Sequence, residues 1–193
     1  MKGSMKLTLF TKDALDLTKV VGEMVRKGFW TAKVVPAEGG FEILSPEPGL
    51  IGAKVVDDQV SYKLYASNEG SSLTLFGDLD RPFLKVAELV GLLAAGGCGE
   101  ECITAAELTA SVSAEGFCSF GQIELERVGT LSVSGLVARK EGEVVSVVPL
   151  NENSYLMVYT VKGDWNTVKS RALSLHALLP QTLEVVKRWT CQQ

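Results

Sequence analysis

Asn68-Glu69, Leu73-Thr74-Leu75-Phe76 and Gly77-Asp78 are matched later in the chain by Asn151-Glu152, Tyr155-Leu156-Met157-Val158-Tyr159 and Gly163-Asp164. Each passage reads as a turn, a strand, a Gly-Asp pair and an amphipathic helix. The apolar run has strand length, and the residues after Gly-Asp take up a spacing of three and four. The helix-period segments cover 79–95 and 164–179. The pattern predicts an α+β fold, mostly antiparallel sheet with about three amphipathic helices. It also predicts two pseudo-repeated halves, 5–97 and 98–193, joined at Gly96 to Cys102.

Working outward, Lys6 to Phe10 alternates as a strand does. Leu17, Val20, Val21, Met24 and Val25 then share one side of a helix, with Thr11 or Asp13 as its cap and Gly28 as its stop. Trp30 to Val35 and Phe41 to Leu44 read as a hairpin around Pro36-Ala-Glu-Gly-Gly. Ser-Pro-Glu-Pro-Gly (45 to 49) breaks the ladder, since proline has no N–H to give it. Ile51 to Val56, a turn at Asp57-Asp58, and Gln59 to Ala66 follow. Val60, Tyr62 and Leu64 face one way in that last strand and Ser61 and Lys63 the other, so one face meets water. Residues 103–112 are compatible with helix or strand. Phe117 to Leu150 is a β-meander. In the helix after Gly163-Asp164, Trp165, Val168, Ala172, Leu175 and Leu179 form the apolar stripe. Pro180 is expected to end it, and Leu183 to Trp189 to close the chain as a strand.

Composition narrows the function more by exclusion than by assignment. Hydrophobic residues make up 46% and charged residues 22% of the 193, which disfavours disorder. Net charge is −4 with a pI near 5.2, so bulk attraction to nucleic acid or anionic lipid is not expected. No run approaches the ~20 apolar residues of a membrane span, and no secretory signal follows the first lysines. Met1 to Ser4 read as an added leader ahead of a start at Met5. The four cysteines are few and irregularly spaced, which with the missing export signal points to the cytoplasm. Mean hydropathy is +0.18, which suggests a doubly buried sheet or a covered subunit face.

Motifs for chemistry are sparse. His176 is the single histidine, and a catalytic pair with Cys118 would need the fold to bring the two together. Cys98-Gly-Glu-Glu-Cys102 lacks the second ligand cluster of a zinc site; whether Cys98, Cys102 and Cys118 have a redox or metal role stays open. No Gly-x-Ser-x-Gly elbow, Walker sequence or dinucleotide fingerprint occurs. The aspartates of the two Gly-Asp pairs read as helix caps rather than phosphate cradles. Asp57-Asp58, Glu100-Glu101 and Glu124/Glu126 read as solvated carboxylates. Lys12, Lys19 and Arg26 recur every seven residues along one flank of the first helix, beside Asp16 and Glu23.

Two resemblances bear on function. The order β-α-β-β-β around residues 6 to 139 is similar to one domain of a sliding DNA clamp. It implies an accessory protein lying on nucleic acid through Lys12, Lys19 and Arg26. The segment Glu143-Val-Val-Ser-Val-Val-Pro-Leu with Tyr155-Leu-Met-Val-Tyr and a following helix resembles the final hairpin and helix of roadblock/longin-type adaptor domains. It implies a protein-binding module. The first likeness is one of topology, and the second covers the C-terminal part of the chain.

The function expected is therefore non-catalytic: a cytoplasmic scaffold or adaptor that self-associates or binds another protein, with no cofactor and no metal. Trp30, Tyr62, Tyr65 and Trp189 are the candidate interface aromatics. The alternatives are the clamp-like nucleic-acid accessory and a small-molecule enzyme using Cys118 and His176.

Overall fold

Met5, Leu7 and Leu9 are fully buried on one side of the first strand while Lys6 and Phe10 are exposed on the other, the period of two that a half-covered sheet requires. In this computed structural model the described residues are 3–56, 59–118, 120–125, 129–151 and 154–191. The turn expected at Asp57-Asp58, and Glu126 and Glu152, lie outside them. The chain runs β1 (Gly3–Thr11), α1 (Leu17–Arg26), β2 (Trp30–Thr31), β3 (Lys33–Ala37), β4 (Gly40–Leu44), β5 (Leu50–Val56), β6 (Gln59–Ala66), β7 (Ser72–Asp78) and α2 (Pro82–Ala95). After a 3-10 turn at Glu100–Cys102 come β8 (Ile103–Glu115), β9 (Gln122–Leu125), β10 (Gly129–Ser132), β11 (Leu136–Lys140), β12 (Glu143–Pro149), β13 (Ser154–Gly163) and α3 (Trp165–Thr190). The fold is α+β, and among the described residues no helix is long and apolar enough to cross a membrane.

Nine strands form one sheet in the order β11-β12-β13-β8-β1-β7-β6-β5-β2, and β3-β4 and β9-β10 are separate hairpins. β1 and β8 pair antiparallel at its centre, with Leu7 opposite Leu108. Gly3 and Ser4 belong to this pairing, opposite Val112 and Ser111. Residues 103–112 resolve as strand. Ala106, Leu108, Ala110 and Val112 are buried in strict alternation, and both neighbours, β1 and β13, supply ladder partners along the whole length.

All three helices lie against the face that carries Met5, Leu7 and Leu9. α3 rests on β8 and β13, α2 on β7, α1 against β5 and the β3 hairpin, and α2 touches both other helices. One cluster of buried residues joins them, from Met5 to Val186.

Each helix departs from the sequence reading for a local reason. α1 starts at Leu17 because the Asp16 carboxylate accepts the N–H groups of Thr18 and Lys19 at 3.1 and 3.3 Å, leaving Lys12 outside the helix. It stops where expected. Gly28 takes a φ of 72°, and the Phe29 and Gly28 N–H groups reach back to the Met24 and Val25 carbonyls. α2 turns Val86, Leu89 and Leu93 inward and leaves Phe83 52% exposed, so the stripe runs from Pro82 rather than through Phe83. α3 does not end at Pro180. Leu175, Leu179, Val186 and Thr190 continue one buried stripe across it, and that packing outweighs the hydrogen bond the proline cannot make. No closing strand forms.

The cysteines pair as Cys98–Cys102 and Cys118–Cys191, and none is free. The first pair closes the turn between α2 and β8. The second ties the segment after β8 to the end of α3.

Candidate functional site

The two Gly-Asp pairs are used differently. Asp164 caps α3, accepting the Thr167 hydroxyl at 2.7 Å and the Thr167 N–H at 3.0 Å, and those bonds, the hydroxyl's first, hold its carboxyl below the usual range. Asp78 caps nothing. Its carboxylate accepts the Asp80 N–H at 2.8 Å and the Lys85 ammonium, and α2 begins behind Arg81, which sits in the left-handed region at φ 45°. Lys85 is 4% exposed and also donates to the carbonyls of Asp78 (3.0 Å) and Asp80 (2.6 Å).

Lys85 forms the floor of a groove of about 410 Å³ between the β5–β6 hairpin and α2, with Lys54, Tyr62, Arg81 and Glu88 on its walls. Tyr62 donates to Glu88 at 2.8 Å, and Lys27 reaches the other Glu88 oxygen at 3.1 Å. Burial first, and then the bond to Glu88, pushes the Tyr62 phenol far up. Lys54 is turned to the Lys27 carbonyl and over the Phe29 ring. The three ammonium donors of Lys85 are used, and the Glu88 oxygens are engaged. The groups compensate one another as a hydrogen-bonded network.

Cys118 and His176 are not brought together. Cys118 is bonded to Cys191, and His176 stands fifteen positions earlier on α3, about 22 Å along the axis at 1.5 Å per residue. His176 is exposed in a second groove, with Leu79, Asp80, Leu175, Leu179 and Pro180. Among the described residues no group of three or more His, Cys, Asp or Glu could hold a metal ion.

A different kind of surface is the helix-free face of the sheet. Opposed residues of an antiparallel ladder share a face. The register therefore aligns Trp30, Ala53, Lys63 and Phe76 from β2 to β7. The same row continues through Lys6, Thr109, Thr160, Val144 and Arg139. Across it, hydroxyl pairs satisfy one another: Thr8 with Thr74 and Ser4 with Ser111, each at 2.9 Å, and Thr109 with Thr160 at 3.3 Å. Phe10, Trp30 and Phe76 stand out of this face between 41% and 48% exposed. At the β6 end the turn at 45–49 folds over it, and Glu47 accepts from both Lys63 and Tyr65. Those two bonds hold the Glu47 carboxyl below the usual range, while burial and then Glu47 push the Tyr65 phenol up to about 12.

The residues singled out from the sequence thus scatter. Trp30 and Tyr65 lie on the helix-free face, Tyr62 is buried under α2, and Trp189 is 42% exposed near the end of α3. Lys19 pairs with Asp16 at 3.2 Å and Arg26 with Glu23 at 2.5 Å, and Lys12 is off the helix. The sequence reading missed Phe10, Phe76 and Lys6, whose alternation in β1 and β7 was the available signal. It also missed Lys85, a lysine set inside an apolar 3.6-residue stripe. Comparison with protein-family models, with curated proteins and with solved structures finds no match to this chain.

Proposed function

We propose that the protein is a non-catalytic interaction module that self-associates or binds another protein through the helix-free face of its sheet. One observation carries this reading: a nine-stranded sheet covered by helices on one face presents Phe10, Trp30 and Phe76 to solvent on the other. Lys6 stands between Phe76 and Thr109 in the central row, with no salt bridge among the described residues. With Arg139 in the same row, it gives the face cations to orient a partner.

The two-half organisation belongs to the same proposal. β1 is followed outward by β7, β6 and β5, and β8 by β13, β12 and β11, and a helix follows β7 and β13. That symmetry of order supports a pseudo-repeat about the β1–β8 pair. Two disulfides with no free thiol support folding where thiols are oxidised, in place of the cytoplasm expected from the sequence.

Light scattering at two concentrations, on the wild type and on Phe76→Glu, tests the reading. A mass that rises with concentration in the wild type and not in the variant supports the face as the contact. A monomer at both concentrations removes self-association, and an unchanged rise in the variant moves the contact elsewhere.

A further inference from the structure

The two sides of Pro180 are held to the body differently. Before it, Trp165, Val168, Ala172, Leu175 and Leu179 are buried; beyond it, Val186 and Thr190 are. The proline withdraws the N–H that would bond the His176 carbonyl. Beyond the proline that sparser packing is joined by bonds at the very end of the helix. The Cys118 N–H meets Thr190 Oγ1 at 3.4 Å, the Lys187 ammonium lies 5.7 Å from the centre of the Phe117 ring, and Cys118 is bonded to Cys191. Phe117 packs in turn with Phe120 and Tyr155, the three rings lying within 4.8 to 5.8 Å of one another. Cys118 and Cys191 are exposed, whereas Cys98 is 3% exposed.

We propose that Cys118–Cys191 is a redox latch on the last part of α3. An exposed disulfide is open to thiolate attack. One thiolate of a dithiol reductant bonds to one sulfur of the bridge, and the other sulfur leaves and takes a proton. The second thiol of the reductant then displaces the first protein sulfur, which is protonated in turn. The protein gains two electrons and two protons and ends with two thiols, and the reductant ends with one new S–S bond. The segment beyond Pro180 then lifts from the body and uncovers the Phe117, Phe120 and Tyr155 rings, while residues 165–179 stay docked.

The test uses the full chain, oxidised or reduced with dithiothreitol, with hydrogen exchange along α3 and timed trypsin cleavage after Lys187 and Arg188. Reduction is expected to speed that cleavage by about tenfold or more and to lower protection beyond 180 while 165–179 keeps it. Cys191→Ser should show the same without reductant, and Cys98→Ser paired with Cys102→Ser should not. Equal cleavage in both redox states overturns the latch. So does loss of protection along all of α3 at once, or alkylation of Cys118 in protein purified without reductant.

Discussion

The ammonium of Lys85 is held by the carboxylate of Asp78 and by two carbonyls of the Asp78–Asp80 turn, under the first turn of α2. A cation this buried is tolerated because every proton it carries has an acceptor. Lys85→Ala removes the cation and leaves those acceptors facing a cavity. It is expected to cost about 3 kcal/mol in urea unfolding, against less than about 1 kcal/mol for the exposed Lys19→Ala.

The disulfides should differ in what they contribute. Cys118–Cys191 closes a separation of 73 residues and Cys98–Cys102 one of 4. In the chain-entropy account these correspond to about 4 and about 2 kcal/mol. Thermal unfolding of Cys191→Ser should therefore show the larger drop, and equal drops would show that the unfolded chain is not what the long bridge acts on.

Pro180→Ala should stabilise the protein by about 1 to 2 kcal/mol, since it restores an N–H to a helix already formed while giving the unfolded chain back some freedom. Denaturant midpoints at constant slope would measure it. Destabilisation would mean that the proline is needed to bring Cys191 to Cys118.

Acid should weaken the fold through named carboxylates. Hydrogen bonding from Thr18 chiefly holds Asp16 at about 2. Lys169 and then Trp165 hold Glu100 low. Burial would raise Glu143, but Arg171 and Tyr159 outweigh it, and its carboxyl lies below the usual range. Each folded pKa is below the unfolded one, so the stabilisation is present above about pH 4 and is lost as pH falls through the folded values. Glu143→Gln should flatten that acid limb in unfolding curves taken from pH 6 to 2, and an unchanged limb would remove Glu143 as a contributor.

At high pH the tyrosines act with the opposite sign. Burial leads in raising Tyr62, Tyr65 and Tyr159, with a carboxylate beside each phenol adding to it. Their contribution is complete below the unfolded value near 10 and is lost as pH rises through the folded ones. Absorbance titration should find Tyr62, Tyr65 and Tyr159 still largely protonated in folded protein at pH 11 and ionised at that pH in urea.

The sheet's interior was legible in the sequence because alternation reports one buried face directly, as in β1 and β6. The start of α1 was displaced because Thr11, Asp13 and Asp16 are all competent caps, and hydrogen-bond geometry selects among them. Pro180 misled for a related reason: local chemistry ends a helix there, and contacts with β8 and β13 override it. Phe83 and Lys85 show the limit of a short stripe. A rotation of the helix by one position changes which of the two is buried, and the anchor that fixes it, Asp78, lies in the preceding strand. Pairing of Cys118 with Cys191 could not be read at all, since it depends on α3 running past the proline.

The two ends of the long sheet are unlike. At one, β11 offers five residues in sequence; at the other, β2 pairs with Gly52 and Ala53 in the middle of β5 and divides that border into short pieces. Backbone groups can recruit a further strand along the first border and find little to hold on the second. If copies were to add at their borders, like would therefore meet like and the addition would stop at a pair rather than run on into a fibre.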